Sequence, residues 1–130
     1  RETLATAIEL LAKAERIEFF AVGHYGVVAH DAQFKFLRFG VPCGAHTDVR
    51  LQPLAAGVLK PRDVVVVISS SGRVDDLLAI VDTARERGAT VVAVTASQSP
   101  LARKADVALI VDHVEDVATH LPMVSRILHL

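Results

Sequence analysis

The chain has 130 residues, 52% of them hydrophobic and 22% charged, with a mean hydropathy of +0.40. That length suits one domain and leaves no room for two well-packed units, while 14 basic against 15 acidic residues, a formal charge of −1, exclude a large nucleic-acid footprint on this chain. No apolar run reaches the roughly 18 residues of a spanning helix, and Arg1-Glu2-Thr3 does not open a signal peptide, so a cytoplasmic domain without membrane contact is expected.

Thr3 to Ala14 places Leu4, Ala7, Ile8, Leu11 and Ala14 at helical spacing and predicts an N-terminal helix. Ile17-Glu18-Phe19-Phe20-Ala21-Val22 reads as a first strand, and Gly23-His24-Tyr25-Gly26 turns it into a helix from Val27 to Phe39 that stops at Gly40. Val41 to Ala45 is a short strand candidate, followed by an Asp48 to Leu59 helix in which Pro53 implies a kink or a late start. After the polar turn Lys60-Pro61-Arg62-Asp63, Val64 to Ile68 forms a third strand, and Ser69-Ser70-Ser71-Gly72 opens a helix from Arg73 to Arg87 before Gly88. Thr90 to Thr95 is a fourth strand; Ser99 caps a short helix with Pro100 in its first turn; Val107 to Val111 is a fifth strand. His120 to Leu130, with Pro122 near its start, begins a last helix, and a chain that opens without methionine and stops inside that run is expected to be an excised domain, 1–130.

Strands alternating with helices imply right-handed crossovers and a three-layer αβα domain around a five-stranded parallel sheet. The near-continuous apolar runs fit strands covered on both faces. In the common order 2-1-3-4-5, the first and third strands are neighbours where the chain reverses, and ligands bind beyond their carboxyl ends. Both glycine-containing loops land there.

Gly23 and Gly26 let the main chain turn tightly and approach a ligand without a Cβ in the way, although a plain strand-to-helix turn accounts for them equally. This is neither the three-glycine dinucleotide fingerprint nor a P-loop. In Ser69-Ser70-Ser71-Gly72 three hydroxyls and several N–H groups converge ahead of a helix, where the dipole favours an anion such as phosphate. Helix capping explains one of those serines but not three. His24, within the first loop, is placed to reach a ligand or simply to face solvent. The remaining histidines are scattered without metal-ligand spacing, and no cofactor or metal is expected. Cys43, the single cysteine, reads as a small apolar packing residue.

Taken together, Ile68-Ser69-Ser70-Ser71-Gly72, the later Thr95 with Ser99-Pro100-Leu101-Ala102 and Ala105-Asp106, and the Gly23 loop resemble a sugar isomerase (SIS) domain across essentially the whole chain. The 29–36 helix, Ala-His-Asp-Ala-Gln-Phe-Lys-Phe, and the Pro122-Met123-Val124-Ser125-Arg126 ending are most similar to RpiR-type transcriptional regulators, HexR-like ones in particular. The resemblance implies a flavodoxin-like sheet whose serine loop grips the phosphate of a phosphosugar. Gly23, His24, Tyr25, Ser69, Ser70, Ser71, Gly72 and Val74 would form the ligand site, with Ser69 and Ser71 as the principal hydroxyls. Such domains often carry a serine where this chain has Tyr25 and a threonine where it has Val74.

The resemblance further implies a non-catalytic effector domain that senses a phosphorylated sugar or sugar acid such as 2-keto-3-deoxy-6-phosphogluconate. DNA would be read only by a helix-turn-helix domain outside this chain. The enzymatic alternative is an aldose–ketose isomerase, which needs a base and an acid, and Glu115 and His120 are the candidates for those roles. The excess of apolar residues predicts at least a dimer, with the Thr3 to Ala14 helix and the Pro122 to Leu130 run as contact surfaces.

Overall fold

Strands β1 (Arg16–Phe20), β2 (Cys43–His46), β3 (Asp63–Ser69), β4 (Thr90–Thr95) and β5 (Val107–Ile110) form one sheet in the order β2-β1-β3-β4-β5. Every neighbouring pair is parallel. The computed structural model describes residues 2–111, so the expected helix from His120 to Leu130 lies outside them. Alternate strand residues feed two cores. On one face Ile17, Phe19, Val64, Val66, Val92 and Val94 pack against α1 (Glu2–Lys13) and α2 (Gly26–Arg38), with the Phe19 and Phe36 rings 5.7 Å apart. On the other, Phe20, Val65, Val67, Val91 and Ala93 pack beneath α3 (Gln52–Gly57), α4 (Asp75–Glu86) and α5 (Pro100–Lys104). All seven residues of β3 are buried. Each such large apolar side chain contributes about 1.5–3 kcal/mol on burial.

The element boundaries shift for local reasons. Pro42 has no N–H to give to a ladder, and the Val41 N–H instead closes the end of α2 on the Phe36 carbonyl, so β2 begins at Cys43. Pro53 sits in the first turn of α3, whose start at Gln52 is the late start that proline implied; Asp48 makes a turn of its own, accepting from the Arg50 N–H. Among the described residues no helix is long and apolar enough to cross a membrane.

On and just after α1, Ala7 and Leu11 are buried, and Leu4, Ile8, Leu10 and Ala14 pack against the core while staying partly exposed. Among the described residues, exposed large apolar side chains lie on and just after α2 (Val27, Phe34, Leu37, Phe39), around α3 (Val49, Leu51, Leu54, Val58) and on the edge strand β5 (Ile110).

One polar group sits inside an apolar strand. Glu18 is buried in the middle of β1, where its Oε1 accepts from His46 Nε2 at 2.7 Å and its Oε2 from Arg16 Nε. Its register partner is Gly44, and a Cβ there would lie 2.6 Å from Glu18 Oε1, so the glycine makes room for the carboxylate. Burial alone would raise the carboxyl pKa, but the hydrogen bonds and charges of His46 and Arg16 outweigh it and hold the group below its ordinary value of 4.5. A depressed folded-state pKa gives stability that is complete above the unfolded value and lost as pH falls through the folded one. Urea unfolding at a series of pH values from 7 downward is therefore expected to show a steeper acid loss in the native chain than in Glu18→Gln. Identical slopes would contradict this role.

Candidate functional site

The first loop leaves β1 through Val22 and forms a single 3-10 turn, Gly23–Tyr25, before α2 begins at Gly26. Gly23 has φ +62°, a left-handed conformation that costs a non-glycine residue about 1–2 kcal/mol. The His24 and Tyr25 rings lie against each other with centroids 4.3 Å apart, while Tyr25 also packs on the core beneath α2. Across from them, β3 ends at Ser69 and the serine loop rises to Val74.

The two loops face one another over an open cleft of about 490 Å³ at the carboxyl ends of β1 and β3. Val22, Gly23, His24 and Tyr25 line one wall; Ile68, Ser69, Ser70, Ser71 and Val74 line the other. Of the eight residues expected to form the ligand site, Gly72 alone is absent from that lining. It lies beneath the loop, buried, at φ +65°. A Cβ on it would come within 2.5 Å of Thr95 Oγ1 and of Ser99 Cβ.

The serine loop is held from below. Ser69 is buried and its Oγ accepts from the Gly72 N–H at 3.1 Å. The Ser70 carbonyl accepts from the Ala96 N–H and the Gly72 carbonyl from the Leu101 N–H, both at 3.1 Å. Thr95 Oγ1 and Ser99 Oγ are 3.2 Å apart, and Ser99 Oγ caps α5 by accepting from the Ala102 N–H. The Thr95 and Ser99-Pro100 signature thus forms the floor on which the serine loop rests. Nothing in its spacing announces that role, because the contact joins segments about 25 residues apart through a glycine with no side chain.

Above this floor the hydroxyls differ. Ser71 is exposed, and its Oγ accepts from the Arg73 N–H at 3.2 Å. Ser70 is half-exposed, and its hydroxyl makes no hydrogen bond among the described residues. All three therefore keep an O–H proton for an oxyanion, since Ser69 and Ser71 only accept in these bonds; Ser69 alone is buried, its oxygen closing the loop.

The helix after this loop starts later than its pattern suggests. Gly72 at positive φ and Val74 at φ −78°, ψ 114° keep residues 72–74 out of helical conformation, so α4 begins at Asp75. Asp75 and Asp76 occupy its first turn, exposed, and take up the favourable end of the dipole themselves. An anion in the cleft is therefore met by loop N–H groups and serine hydroxyls more than by the helix. Val74 stands at the N-cap with no side-chain hydrogen bond. Val74→Thr supplies a capping oxygen, and thermal unfolding is expected to show stabilisation of about 1 kcal/mol. An unchanged or lower Tm would mean that packing of the valine methyl outweighs the cap.

Glu115 and His120 lie outside the described residues. No group of three His, Cys, Asp or Glu side chains that could hold a metal occurs among those described.

The family model of the SIS domain matches residues 10–129. The chain belongs to the SIS domain family. It is 47% identical over 129 residues to the "Bifunctional protein glk" of Burkholderia orbicola, covering 99% of this chain and 20% of that protein. It is 41% identical over 130 residues to the HTH-type transcriptional regulator HexR of Escherichia coli, covering 100% of this chain and 45% of that one. The chain therefore spans less than half the length of these relatives. Among solved structures, the sugar isomerase domain of an RpiR transcription factor from Sphaerobacter thermophilus superposes with a TM-score of 0.82 at 23% identity, covering 98% of this chain and 83% of that chain. The Vibrio vulnificus NanR protein complexed with ManNAc-6P superposes with a TM-score of 0.86 at 22% identity, covering 98% and 52%. At such identities these two show the shared fold.

Proposed function

We propose that this SIS domain senses a phosphorylated sugar or sugar acid as the non-catalytic effector domain of a bacterial transcriptional regulator of carbohydrate metabolism. The observation that carries this reading is the meeting of two loops over one cleft, with free serine donors on one wall and the Gly23 turn on the other. Similarity to HexR over the whole chain supports the regulatory context, and the ManNAc-6P bound by NanR supports a phosphosugar as ligand. In this reading the domain is a cytoplasmic homodimer, DNA is contacted through a separate helix-turn-helix domain, and 2-keto-3-deoxy-6-phosphogluconate is the first ligand to test. A change of spacing between two attached DNA-reading domains would transmit the signal.

The 47% identity to a bifunctional Burkholderia protein keeps an enzymatic role as the second reading, with aldose–ketose isomerisation through Glu115 and His120. Thermal shift against phosphorylated sugars and their unphosphorylated counterparts, with turnover assays on the same compounds, separates the two. A ligand at one hundred times its Kd stabilises by about 2.7 kcal/mol, and the regulator reading expects such a shift for a phosphorylated compound without turnover. Isomerisation abolished by Glu115→Gln would overturn it.

A further inference from the structure

Gln52 opens α3 and is 1% exposed. Its Nε2 donates to two main-chain carbonyls, that of Ala21 at 3.0 Å and that of His46 at 2.9 Å. Its Oε1 is buried and meets no donor among the described residues. These two carbonyls mark where β1 and β2 part. Phe20 and His46 are the last register pair, and the Ala21 N–H reaching the His46 carbonyl at 3.3 Å is the main-chain link just beyond it. From there one segment runs into Val22-Gly23-His24-Tyr25 and the other into Thr47-Asp48. The Gln52 amide bridges this fork from α3.

The orientation of the amide is forced. Turned over, Oε1 would face two carbonyl oxygens, so both N–H donors go to the fork and the oxygen is left buried without a partner. An apolar side chain of similar length would avoid that orphaned oxygen if filling space were the only requirement. What an apolar side chain cannot do is tie Ala21, the residue from which the first loop departs.

We propose that Gln52 is a positioning residue for the cleft: its amide fixes the departure point of the Gly23 loop and hence where His24 and Tyr25 stand relative to the serine loop. Its ligand-binding consequence rests on the phosphosugar reading; its effect on the loop does not. The chain has one tyrosine and no tryptophan, so intrinsic fluorescence reports Tyr25, in the first loop, directly. Gln52→Met keeps length and removes both donors; Gln52→Glu keeps shape and turns a second oxygen toward the carbonyls.

Acrylamide quenching and anisotropy of Tyr25 would be measured at temperatures where far-UV circular dichroism shows the native fold, and 2-keto-3-deoxy-6-phosphogluconate would be titrated by calorimetry. The expected result is a quenching constant raised about twofold and an affinity lowered about tenfold, because a loosened loop must be ordered on binding. Should Gln52→Met fail to fold, the fluorescence of Gln52→Glu decides. A lower Tm with unchanged Tyr25 quenching in the folded variant would overturn the proposal and leave Gln52 a general stabilising residue. If the native chain binds no phosphosugar, the phosphosugar reading falls while the Tyr25 measurement still decides the role of Gln52.

Discussion

Gly72→Ala is expected to cost about 2–5 kcal/mol of stability, the sum of a left-handed backbone penalty and an overpacked contact. The residue sits at φ +65°, and the new methyl would press within 2.5 Å of Thr95 Oγ1 and Ser99 Cβ. Removing the Ser99 hydroxyl cannot relieve this, because the Ser99 Cβ itself is in the way. The loop must lift from its floor, stretching the bonds from Ala96 N–H to the Ser70 carbonyl and from Leu101 N–H to the Gly72 carbonyl. Phosphosugar binding should disappear with it, as the hydroxyls of Ser70 and Ser71 leave the cleft. Urea unfolding and calorimetry on the same preparation test both parts. A stability within about 0.5 kcal/mol of the native chain, the range of ordinary surface changes, would show that the loop rests on something other than Thr95 and Ser99.

The sheet was legible because both faces of its strands are covered. Val64 to Ile68 is apolar at every position, which parallel strands between helices require, and the five runs in order allow few topologies. The cleft was legible for a related reason: the order 2-1-3-4-5 puts the first and third loops side by side, and both carry glycine. What sequence pattern could not supply were contacts made across the chain. Glu18 interrupts an apolar run, but its partner His46 is 28 residues away and its space is created by an absent side chain at Gly44. Gln52 falls unremarked inside the expected 48–59 helix until the fork between β1 and β2 is seen. The start of α4 was misplaced by two residues because helical spacing ignores the backbone torsions of Gly72 and Val74. Apolar periodicity also does not say how wide a groove α1 fills: Leu4, Ile8, Leu10 and Ala14 pack against the core beside the buried Ala7 and Leu11 while staying partly exposed.

Ser69→Ala and Ser71→Ala should separate stability from binding, although the two serines stand two positions apart in one motif. Ser69 Oγ is buried and accepts from the Gly72 N–H, so its removal leaves a buried donor unpaired at a cost of about 1–3 kcal/mol. Ser71 is exposed, and water can take over the Arg73 N–H when its hydroxyl goes, so stability should stay within about 0.5 kcal/mol of native. Binding draws on both hydroxyls. The Ser71 hydroxyl faces the cleft with a proton to give, and a hydrogen bond to a charged group is worth about 1.5–3 kcal/mol, so Ser71→Ala alone should weaken a phosphosugar about tenfold or more. Ser69→Ala should weaken it as well, losing both a hydroxyl on the cleft wall and the bond that holds the loop in shape, so that it lowers stability and affinity together. Urea unfolding beside calorimetric titration gives both coordinates for each variant. Native affinity in Ser71→Ala would remove the exposed hydroxyl from the site, and equal destabilisation by the two substitutions would mean that the serine loop closes on itself by a different set of bonds.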